Sequence, residues 1–239
     1  MDLSIAAVIC AAGSSNRMGG AKKEYLPFTP GLSEGTHLTV LGAAAAAFAA
    51  CPRIGPIVIT IPPNGENAAR ANLPAELLSA KLPSGEERIM FTTGGPSRRA
   101  SVHNALLRLE AFSLSHVLIH DGARPWIKRG LIEKIIDAAL QYGAVIPGLP
   151  LTETPKELAP DGSVKRHLKR AQLCGAQTPQ GFKFSEILTA HEKAAEKEKL
   201  ENCEYTDDAE VWVEFIGQVM VIPGDPENRK ITYPEDLRR

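Results

Sequence analysis

The sequence is poor in cysteine and has no two cysteines at metal-binding spacing. Its four cysteines, Cys10, Cys51, Cys174 and Cys203, are scattered along 239 residues without a C-x-x-C motif. Structural zinc sites depend on closer spacing of their ligands. We therefore expect no zinc site, reduced thiols and a cytoplasmic location.

Long apolar runs are also missing. The longest, residues 40–51, consists mostly of alanine and is well short of the ~20 residues that span a bilayer. The apolar run near the N terminus follows Asp2, has no basic flank and is too short for a signal peptide, so export is not expected. These features predict a protein that neither crosses a membrane nor is anchored in one.

The chain has almost no net charge. Its formal net charge is −1 at pH 7. Binding to nucleic acid or to an anionic lipid surface usually requires an excess of positive charge, so neither partner is expected. A small anionic ligand would have to be held by locally clustered arginine and lysine side chains.

One such cluster lies in residues 6–23, AAVICAAGSSNRMGGAKK, where an apolar strand leads into a glycine-rich, basic loop. Gly13 lets the backbone approach a ligand, Ser14 and nearby amides can donate to phosphate oxygens, and Arg17 and Lys23 add positive charge. Open parallel sheets bind ligands where loops leave the carboxyl ends of strands, so we predict a nucleoside triphosphate here. The loop matches neither the dinucleotide fingerprint nor the Walker motif, and a flexible turn with a solvated arginine is the alternative.

Apolar strands alternate with amphipathic helices along the whole chain. Strands are predicted at residues 5–10, 56–61, 88–92, 116–120, 144–147 and 218–222, and helices at 36–51, 64–81, 131–140, 184–199 and 206–215. A glycine-rich turn over residues 94–102 is predicted to open a further helix that runs to about residue 110. Such alternation predicts an α/β fold with a doubly wound, mostly parallel sheet, here formed by a single domain over residues 1–239.

Residues 150–173 interrupt this alternation. Two polar, strand-compatible segments flank the turn at Asp161 and Gly162, which predicts a protruding β-hairpin arm. Such an arm has too little apolar surface to be stable alone. We expect it to pack against a second subunit, as in a homodimer.

Charged groups that could carry chemistry follow several of the predicted strands: Arg17 and Lys23, Arg98 with Ser101, Asp121 with Arg124, and Lys230. A single carboxylate such as Asp121 can hold Mg²⁺ when water and phosphate oxygens supply the other ligands, although it could instead cap the next turn. Four further acids are expected to be solvated surface residues: Asp207, Asp208, Asp225 and Glu227.

The histidines offer no catalytic arrangement in the sequence. His120 is expected to be structural rather than catalytic, and no constellation is visible for His37, His103, His116, His167 and His191. Without a Ser/His or Cys/His pairing, covalent catalysis has little support. The basic residues indicate charge stabilisation of a phosphoryl or nucleotidyl transfer.

Seven segments occur in a characteristic order: AAGSSNRM, KKEYL, GGPSRRASV, IHDGARP, AQTPQGF, YTDDAE and NRKITYPEDL. This ordered set resembles the 2-C-methyl-D-erythritol 4-phosphate cytidylyltransferase family of the non-mevalonate isoprenoid pathway. The resemblance implies a Rossmann-like nucleotidyltransferase fold and a reaction of CTP with a polyol phosphate that releases pyrophosphate. It also implies Mg²⁺ and a homodimer.

The resemblance assigns roles to particular residues. The catalytic cations would be Arg17, Lys23 and Lys230, and Asp121 would bind the metal. Nucleotide-binding positions fall on Ala11, Ala12, Gly13, Ser14, Gly94, Gly95 and Ser101. Polyol-binding positions fall on Arg124, Thr154, Arg170, Thr178 and Thr206, of which Thr154 and Arg170 lie on the arm that the family extends into its partner subunit.

Two residues depart from the family pattern. Pro96 replaces a frequently acidic residue and has no backbone N–H to offer a base. Ser15 replaces a frequent glycine, which is a minor change if its φ is negative. Three other functions share parts of the pattern: a ribitol-5-phosphate cytidylyltransferase, a guanylyl- or sugar-nucleotide transferase, and a nucleotide-binding module without catalysis.

Overall fold

A central sheet of eight strands organises the part of the chain described by the computed structural model, residues 4–15, 18–19, 21–28, 38–201 and 203–238. In chain order the strands are Ile5–Cys10 (β1), Pro27–Phe28 (β2), Leu38–Thr39 (β3), Ile57–Ile61 (β4), Ile89–Thr93 (β5), His116–Asp121 (β6), Ala144–Pro150 (β7), Lys156–Leu158 (β8), Val164–His167 (β9), Cys174–Ala176 (β10), Gln180–Lys183 (β11) and Met220–Pro223 (β12). The helices are Val40–Ala49 (α1), Glu66–Ala71 (α2), Ala75–Ser79 (α3), Arg98–Leu109 (α4), Arg129–Tyr142 (α5), Phe184–Leu200 (α6) and Asp208–Phe215 (α7).

The strand order explains where a ligand can bind. The central sheet runs β5-β4-β1-β6-β11-β7, with β10 and β12 also paired to β7. Strand β1 pairs in parallel with both β4 and β6, so the chain winds away from β1 in two directions. A crevice forms at the carboxyl ends of such neighbouring strands. The predicted doubly wound, mostly parallel α/β sheet is confirmed.

Both faces of the sheet are buried at its centre, where β1, β4 and β6 are mostly apolar and buried along nearly their whole length. Along β1, Ile5, Ala7 and Ile9 face a core built with α1 and α5. The alternate residues Ala6 and Val8 face a second core built with α4, α6 and α7. The period of two along one strand therefore distributes its side chains between the two helical layers.

Two predicted helices differ in their bounds. The helix predicted at 36–51 begins at Val40 because Thr39 caps it, its hydroxyl accepting a hydrogen bond from the Gly42 amide at 3.0 Å. The single helix predicted at 64–81 is wrong: α2 and α3 are separate short helices. Pro74 lies between them, and proline disfavours helical backbone in the residue before it.

Two strands of the sheet, β10 and β11, have no counterpart among the predicted strands. Strand β11 lies antiparallel between β6 and β7, although it contributes only four residues. Its sequence, QGFK, has neither the length nor the composition of a predicted strand. The flanking strands determine its conformation.

The predicted arm is confirmed as a hairpin outside the central sheet. Strands β8 and β9 form their own two-stranded antiparallel sheet, and Gly162 takes a φ of +83° in the turn between them. Packing of this arm against a second subunit stays a prediction. Among the described residues, no helix is long and apolar enough to cross a membrane.

Candidate active site

A cavity of about 570 Å³ opens at the carboxyl ends of the central strands. Its lining joins the loop after β1, the turn before α4, the end of β6 and the C-terminal segment. Eight residues to which the family resemblance assigns a role line it together: Ala12, Gly13, Ser14, Lys23, Gly95, Ser101, Asp121 and Lys230. Arg98, also singled out from the sequence, lines it as well. Loops far apart in the sequence thus meet where the strand order predicts a ligand site.

The loop after β1 is fastened to the neighbouring strand. Ala11 is buried, and its amide donates to the carbonyl oxygen of Thr60 at 3.2 Å and to the Thr60 hydroxyl at 3.1 Å. Beside it, the Gly94 amide donates to the Ile61 carbonyl at 2.8 Å. Both segments that carry nucleotide-binding predictions therefore rest on the end of β4.

The turn before α4 is held by serine hydroxyls. Ser97 caps the helix by accepting from the Ala100 amide at 3.1 Å. The Ser101 hydroxyl accepts from the Gly95 amide at 3.0 Å and donates to the Ser97 carbonyl at 2.9 Å. A hydroxyl oxygen has two acceptor positions, so Ser101 keeps one that can accept a hydrogen bond from a ligand.

Gly94 permits the close contact between these two segments. A Cβ atom at residue 94 would lie 2.3 Å from the Cβ of Ala12 and 2.9 Å from the Ser101 oxygen. By contrast, a Cβ atom at Gly13 would meet nothing within 4 Å. The folded protein therefore has no room for a side chain at residue 94 but has room for one at residue 13.

This difference predicts different results for Gly94→Ala and Gly13→Ala. Gly94→Ala must push the loop after β1 away from α4, so we expect a loss of about 1–3 kcal/mol of stability together with weakened nucleotide binding. Gly13→Ala should keep the wild-type melting temperature and affect only ligand binding. Thermal unfolding and CTP titration of both variants test this; equal melting temperatures would contradict it.

Asp121 lies at the end of β6 among three cationic side chains. Its carboxylate is 2.9 Å from the Lys230 ammonium, 3.4 Å from the Arg124 guanidinium and 3.6 Å from that of Arg98. Burial by itself would raise the pKa of Asp121, but these three cations outweigh it and hold the pKa well below its usual range. Asp121 is therefore ionised at neutral pH.

The side chains around Asp121 limit the kind of metal ion that could bind there. Among the described residues, no group of three or more His, Cys, Asp or Glu side chains could hold a metal ion. A single carboxylate suits Mg²⁺ only when phosphate oxygens and water complete its coordination. Asp121 lines the cavity and fits that kind of site.

Asp208 and His191 both differ from what the sequence predicted. Asp208 was expected on a solvated surface, but it is 0% exposed, and its carboxylate lies 2.8 Å from the Arg98 guanidinium. The His191 ring, for which no constellation was visible, lies 3.2 Å from its other oxygen and stacks on His103. Arg98 therefore bridges the buried Asp208 and the cavity residue Asp121.

A pattern in the sequence could have indicated this burial. Asp207 caps α7 by accepting from the Glu210 amide at 2.9 Å. Asp208, Val211 and Trp212 follow at helical spacing and share the face that packs into the core. Of two adjacent acids at a helix start, the first can cap while the second belongs to the apolar face.

The C-terminal segment is tied to the end of β6 by buried amides. The Asn228 side chain donates to the Thr178 carbonyl at 2.7 Å, and its backbone carbonyl accepts from Arg124 at 2.8 Å and from Gln177 at 3.1 Å. Gln177 and Asn228 were not singled out from the sequence. They place the segment that carries Lys230 beside Asp121.

His120 has the structural surroundings expected of it. Its ring is buried and contacts the Thr178 hydroxyl at 3.1 Å and the Arg124 carbonyl at 3.2 Å. Burial lowers the pKa of His120 to about 4. The ring is therefore neutral at physiological pH and helps to position Thr178, whose hydroxyl accepts from the Asp121 amide at 3.0 Å.

None of the five predicted polyol-binding residues belongs to the cavity lining, although Arg124 and Thr178 contact the cavity residue Asp121. Thr206 bonds through its amide and hydroxyl to Glu210 at the start of α7. Thr154 is exposed on the arm, and Arg170 follows its second strand and donates to the Thr152 carbonyl at 2.6 Å. Within the described part of this single chain, no residue of the arm lines the cavity.

Two residues of the loop after β1 need separate mention. Arg17, predicted as a catalytic cation, lies outside the described residues. Ser15 has a φ of +53°. Because this φ is positive, serine in place of glycine is not a minor change at this position. Its side chain must contribute something that glycine cannot.

Comparison with known proteins agrees with this geometry. The family model described as "IspD: 2-C-methyl-D-erythritol 4-phosphate cytidylyltransferase" matches residues 5–239. A protein of Pelotomaculum thermopropionicum named 2-C-methyl-D-erythritol 4-phosphate cytidylyltransferase is 37% identical over 235 residues, covering 98% of this chain and 91% of that protein. A solved structure of the Thermus thermophilus protein of that name has a TM-score of 0.71 at 31% identity, covering 100% of this chain and 96% of that one.

Some relatives are longer. The protein of Brucella abortus named bifunctional enzyme IspD/IspF is 36% identical over 200 residues, which cover 83% of this chain and 48% of that protein. The chain thus spans about half the length of this relative. With its family model matched from residue 5 to residue 239 and its fold shared with a solved member, the chain belongs to the 2-C-methyl-D-erythritol 4-phosphate cytidylyltransferase family.

Proposed function

We propose that this protein transfers CMP from CTP to 2-C-methyl-D-erythritol 4-phosphate, giving 4-diphosphocytidyl-2-C-methyl-D-erythritol and pyrophosphate in non-mevalonate isoprenoid biosynthesis. The observation that carries the proposal is the cavity itself. It combines a glycine- and serine-rich loop with Lys23, Lys230 and the ionised carboxylate of Asp121. The matched family and its named members support the choice of substrates.

The nucleotide is proposed to lie along the loop after β1. The backbone of Ala11, Ala12, Gly13 and Ser14 would bind the phosphates of CTP. Gly94, Gly95 and Ser101 would bind the cytosine. The amino group of cytosine is a hydrogen-bond donor, and the remaining acceptor position of the Ser101 hydroxyl can receive it.

The chemistry requires no general base from the protein. The nucleophile is a phosphate of the polyol and is already anionic, so its oxygen can attack the α-phosphorus as pyrophosphate leaves. The main obstacle is the repulsion between two polyanions and the charge that builds up on the α-phosphate. Fixed cations lower that barrier, and we assign this role to Arg17, Lys23 and Lys230.

Asp121 is proposed to hold Mg²⁺ together with phosphate oxygens and water. Bound there, the ion would supply further positive charge to the triphosphate. Lys230 contacts the Asp121 carboxylate at 2.9 Å, so the same carboxylate also keeps this lysine at the edge of the cavity. Asp121 thus gathers positive charge at the end of β6, beside the cavity.

The polyol phosphate is proposed to contact Arg124, Thr154, Arg170, Thr178 and Thr206. Thr178 and Arg124 lie beside Asp121, which suits substrate atoms near the reacting phosphate. Thr154 and Arg170 are on the arm, so we propose that they act in the partner subunit of a homodimer. A cytoplasmic location fits this proposal, and binding to nucleic acid or to a membrane is not part of it.

The activity is tested by pyrophosphate release with CTP and Mg²⁺, comparing 2-C-methyl-D-erythritol 4-phosphate with D-ribitol 5-phosphate at matched concentrations. We expect a clear preference for the methylerythritol substrate. Preference for ribitol phosphate would keep the mechanism and change the substrate. Release with neither substrate, despite CTP binding, would favour a binding module without catalysis.

Lys23→Ala and Arg17→Ala are each expected to lower kcat about a hundredfold, because losing one preorganised contact to the transition state costs about 3 kcal/mol. Lys81→Ala is the control, since Lys81 is exposed and lies only 3.9 Å from Glu87 in a surface ion pair. Steady-state kinetics with a melting curve for each variant separates catalysis from folding. Near-normal turnover in either variant would remove that residue from the mechanism.

A further inference from the structure

We propose that Ser15, Lys22 and Glu24 form a clamp that holds the loop after β1 in its nucleotide-binding shape before CTP binds. The three are positioning residues, and Lys23, the proposed catalytic cation, lies between two of them in the chain. The proposal rests on the CTP-binding function proposed above. It concerns a contact network that the family resemblance does not assign.

The first observation is the backbone of Ser15. A φ of +53° is unfavourable for a residue with a Cβ atom, so surrounding contacts must hold it. The Ser15 hydroxyl provides them: it donates to a carboxylate oxygen of Glu24 at 3.2 Å and accepts from the Lys23 amide at 3.3 Å. Glycine would adopt this φ easily but could make neither contact.

The second observation is the burial of Glu24. This side chain lines a cavity proposed to bind a triphosphate, where an uncompensated carboxylate would repel the ligand. Glu24 is only 4% exposed, and burying a charge requires a partner. The Lys22 ammonium lies 3.3 Å from the same carboxylate oxygen that Ser15 contacts, so the negative charge is neutralised within the clamp.

Lys22 completes the connection. Its ammonium also donates to the Gly13 carbonyl at 2.5 Å. The clamp therefore joins residues 13–15 to residues 22–24 by three hydrogen bonds, and the ion pair between Lys22 and Glu24 adds a fourth contact within the second segment. Both ends of the loop are thus held by the protein's own groups.

This arrangement has a direct consequence for binding. Loop ends that are already held in place lose less conformational freedom when a ligand binds, so the affinity for the ligand is higher. The contact from the Lys23 amide to Ser15 also fixes the backbone from which the Lys23 side chain extends. The clamp is expected to improve CTP affinity without touching the polyol phosphate.

Two substitutions at Ser15 test the clamp. Ser15→Ala removes both hydroxyl contacts and keeps the strained φ, whereas Ser15→Gly removes the contacts and relieves the φ. We expect both to raise the Kd for CTP about tenfold, since two hydrogen bonds are lost, and to leave the KM for the polyol phosphate unchanged. Only Ser15→Ala should lower the melting temperature.

Hydrogen exchange, measured without CTP and with saturating CTP, distinguishes the clamp from a general loss of stability. Only loss of the clamp should speed exchange in this loop and let CTP reverse the change. Backbone amides of residues 13–25 should exchange faster in both variants, and saturating CTP should remove most of the difference. The control is Ser163→Ala, whose hydroxyl contacts Asp161 at 2.7 Å in the exposed turn of the arm. It should leave CTP affinity and exchange in residues 13–25 unchanged.

The outcomes separate the clamp from the proposed function. If Ser15→Gly binds CTP and exchanges like the wild type, the clamp is overturned while the function stands. If the wild type does not bind CTP, the proposed function fails, and the clamp is overturned as a nucleotide-binding device. Faster exchange together with weaker CTP binding in both variants supports the clamp.

Discussion

Asp208→Asn is expected to destabilise the protein by about 2–3 kcal/mol, because it leaves the largely buried guanidinium of Arg98 with only the more distant carboxylate of Asp121, at 3.6 Å, as a counter-charge. Asp208 is fully buried and lies 2.8 Å from Arg98 and 3.2 Å from His191. Removing one partner of a buried ion pair exposes the full desolvation cost of the other. Chemical denaturation at neutral pH measures the difference.

The effect should depend on pH in a defined direction. Burial would raise the pKa of Asp208, but Arg98 and His191 outweigh it and lower the pKa below its usual value. The contribution of a carboxylate with a lowered pKa is present above about pH 4, the pKa of an unfolded aspartate, and is lost as the pH falls through the folded pKa. The stability difference between wild type and Asp208→Asn should therefore shrink under acidic conditions.

Asp137→Asn is the matched control, since the same substitution removes an exposed carboxylate that pairs with Arg53 on the surface. It should change stability by less than about 1 kcal/mol. A second variant, Asp208→Asn combined with Arg98→Met, removes both charges and should recover much of the lost stability. A single Asp208→Asn variant within about 1 kcal/mol of the wild type would contradict the buried-pair interpretation.

Asp121→Asn is expected to lower kcat by about 10²–10³-fold, the range found when one preorganised electrostatic contact is removed. Two effects combine at this position. The proposed Mg²⁺ ligand is lost, and Lys230, Arg124 and Arg98 no longer share an anion. Steady-state kinetics over a range of Mg²⁺ concentrations measures the first effect.

The second effect has a readout that does not require turnover. Without the Asp121 carboxylate, the three cations repel one another and attract polyanions more strongly. Pyrophosphate should therefore raise the melting temperature of Asp121→Asn by more than that of the wild type. Asp137→Asn, which removes an exposed partner of Arg53, should behave like the wild type in both assays.

An Asp121→Asn variant with kcat within about tenfold of the wild type would remove Asp121 from the catalytic centre. A larger loss of kcat without the stronger pyrophosphate response would mean that the carboxylate does not balance the cationic cluster. In that case the short distances to Lys230 and Arg124 would not reflect a functional balance of charge.

Much of the site could be predicted from local patterns. The loop after β1, the turn before α4 and Asp121 at the end of β6 each follow an apolar strand in the sequence, and parallel strands bring such segments to one edge. Eight of the residues with a role assigned by the family resemblance line the same cavity for this reason. The family motifs then indicate which ligand the edge is expected to bind.

Other features could not be predicted because they depend on contacts between distant residues. Strand β11 has only the four residues QGFK and is a strand because β6 and β7 offer hydrogen bonds on both sides. Asn228 contacts Arg124 across 104 positions, and Arg98 meets Asp208 across a helix interface. A short segment of sequence does not reveal which distant residues it will contact.

The sequence alone therefore determined the fold class, the family and the edge of the sheet where charged loops gather, since these follow from hydrophobic periodicity and from ordered motifs. Only the tertiary structure decided that Asp208 is a buried counter-ion, that Ser15 is held in a left-handed conformation and that Lys230 rests against Asp121. The physical reason is that burial and pairing of charges depend on which elements pack together. A charged side chain has the same local signature whether it ends in water or against a partner from another part of the chain.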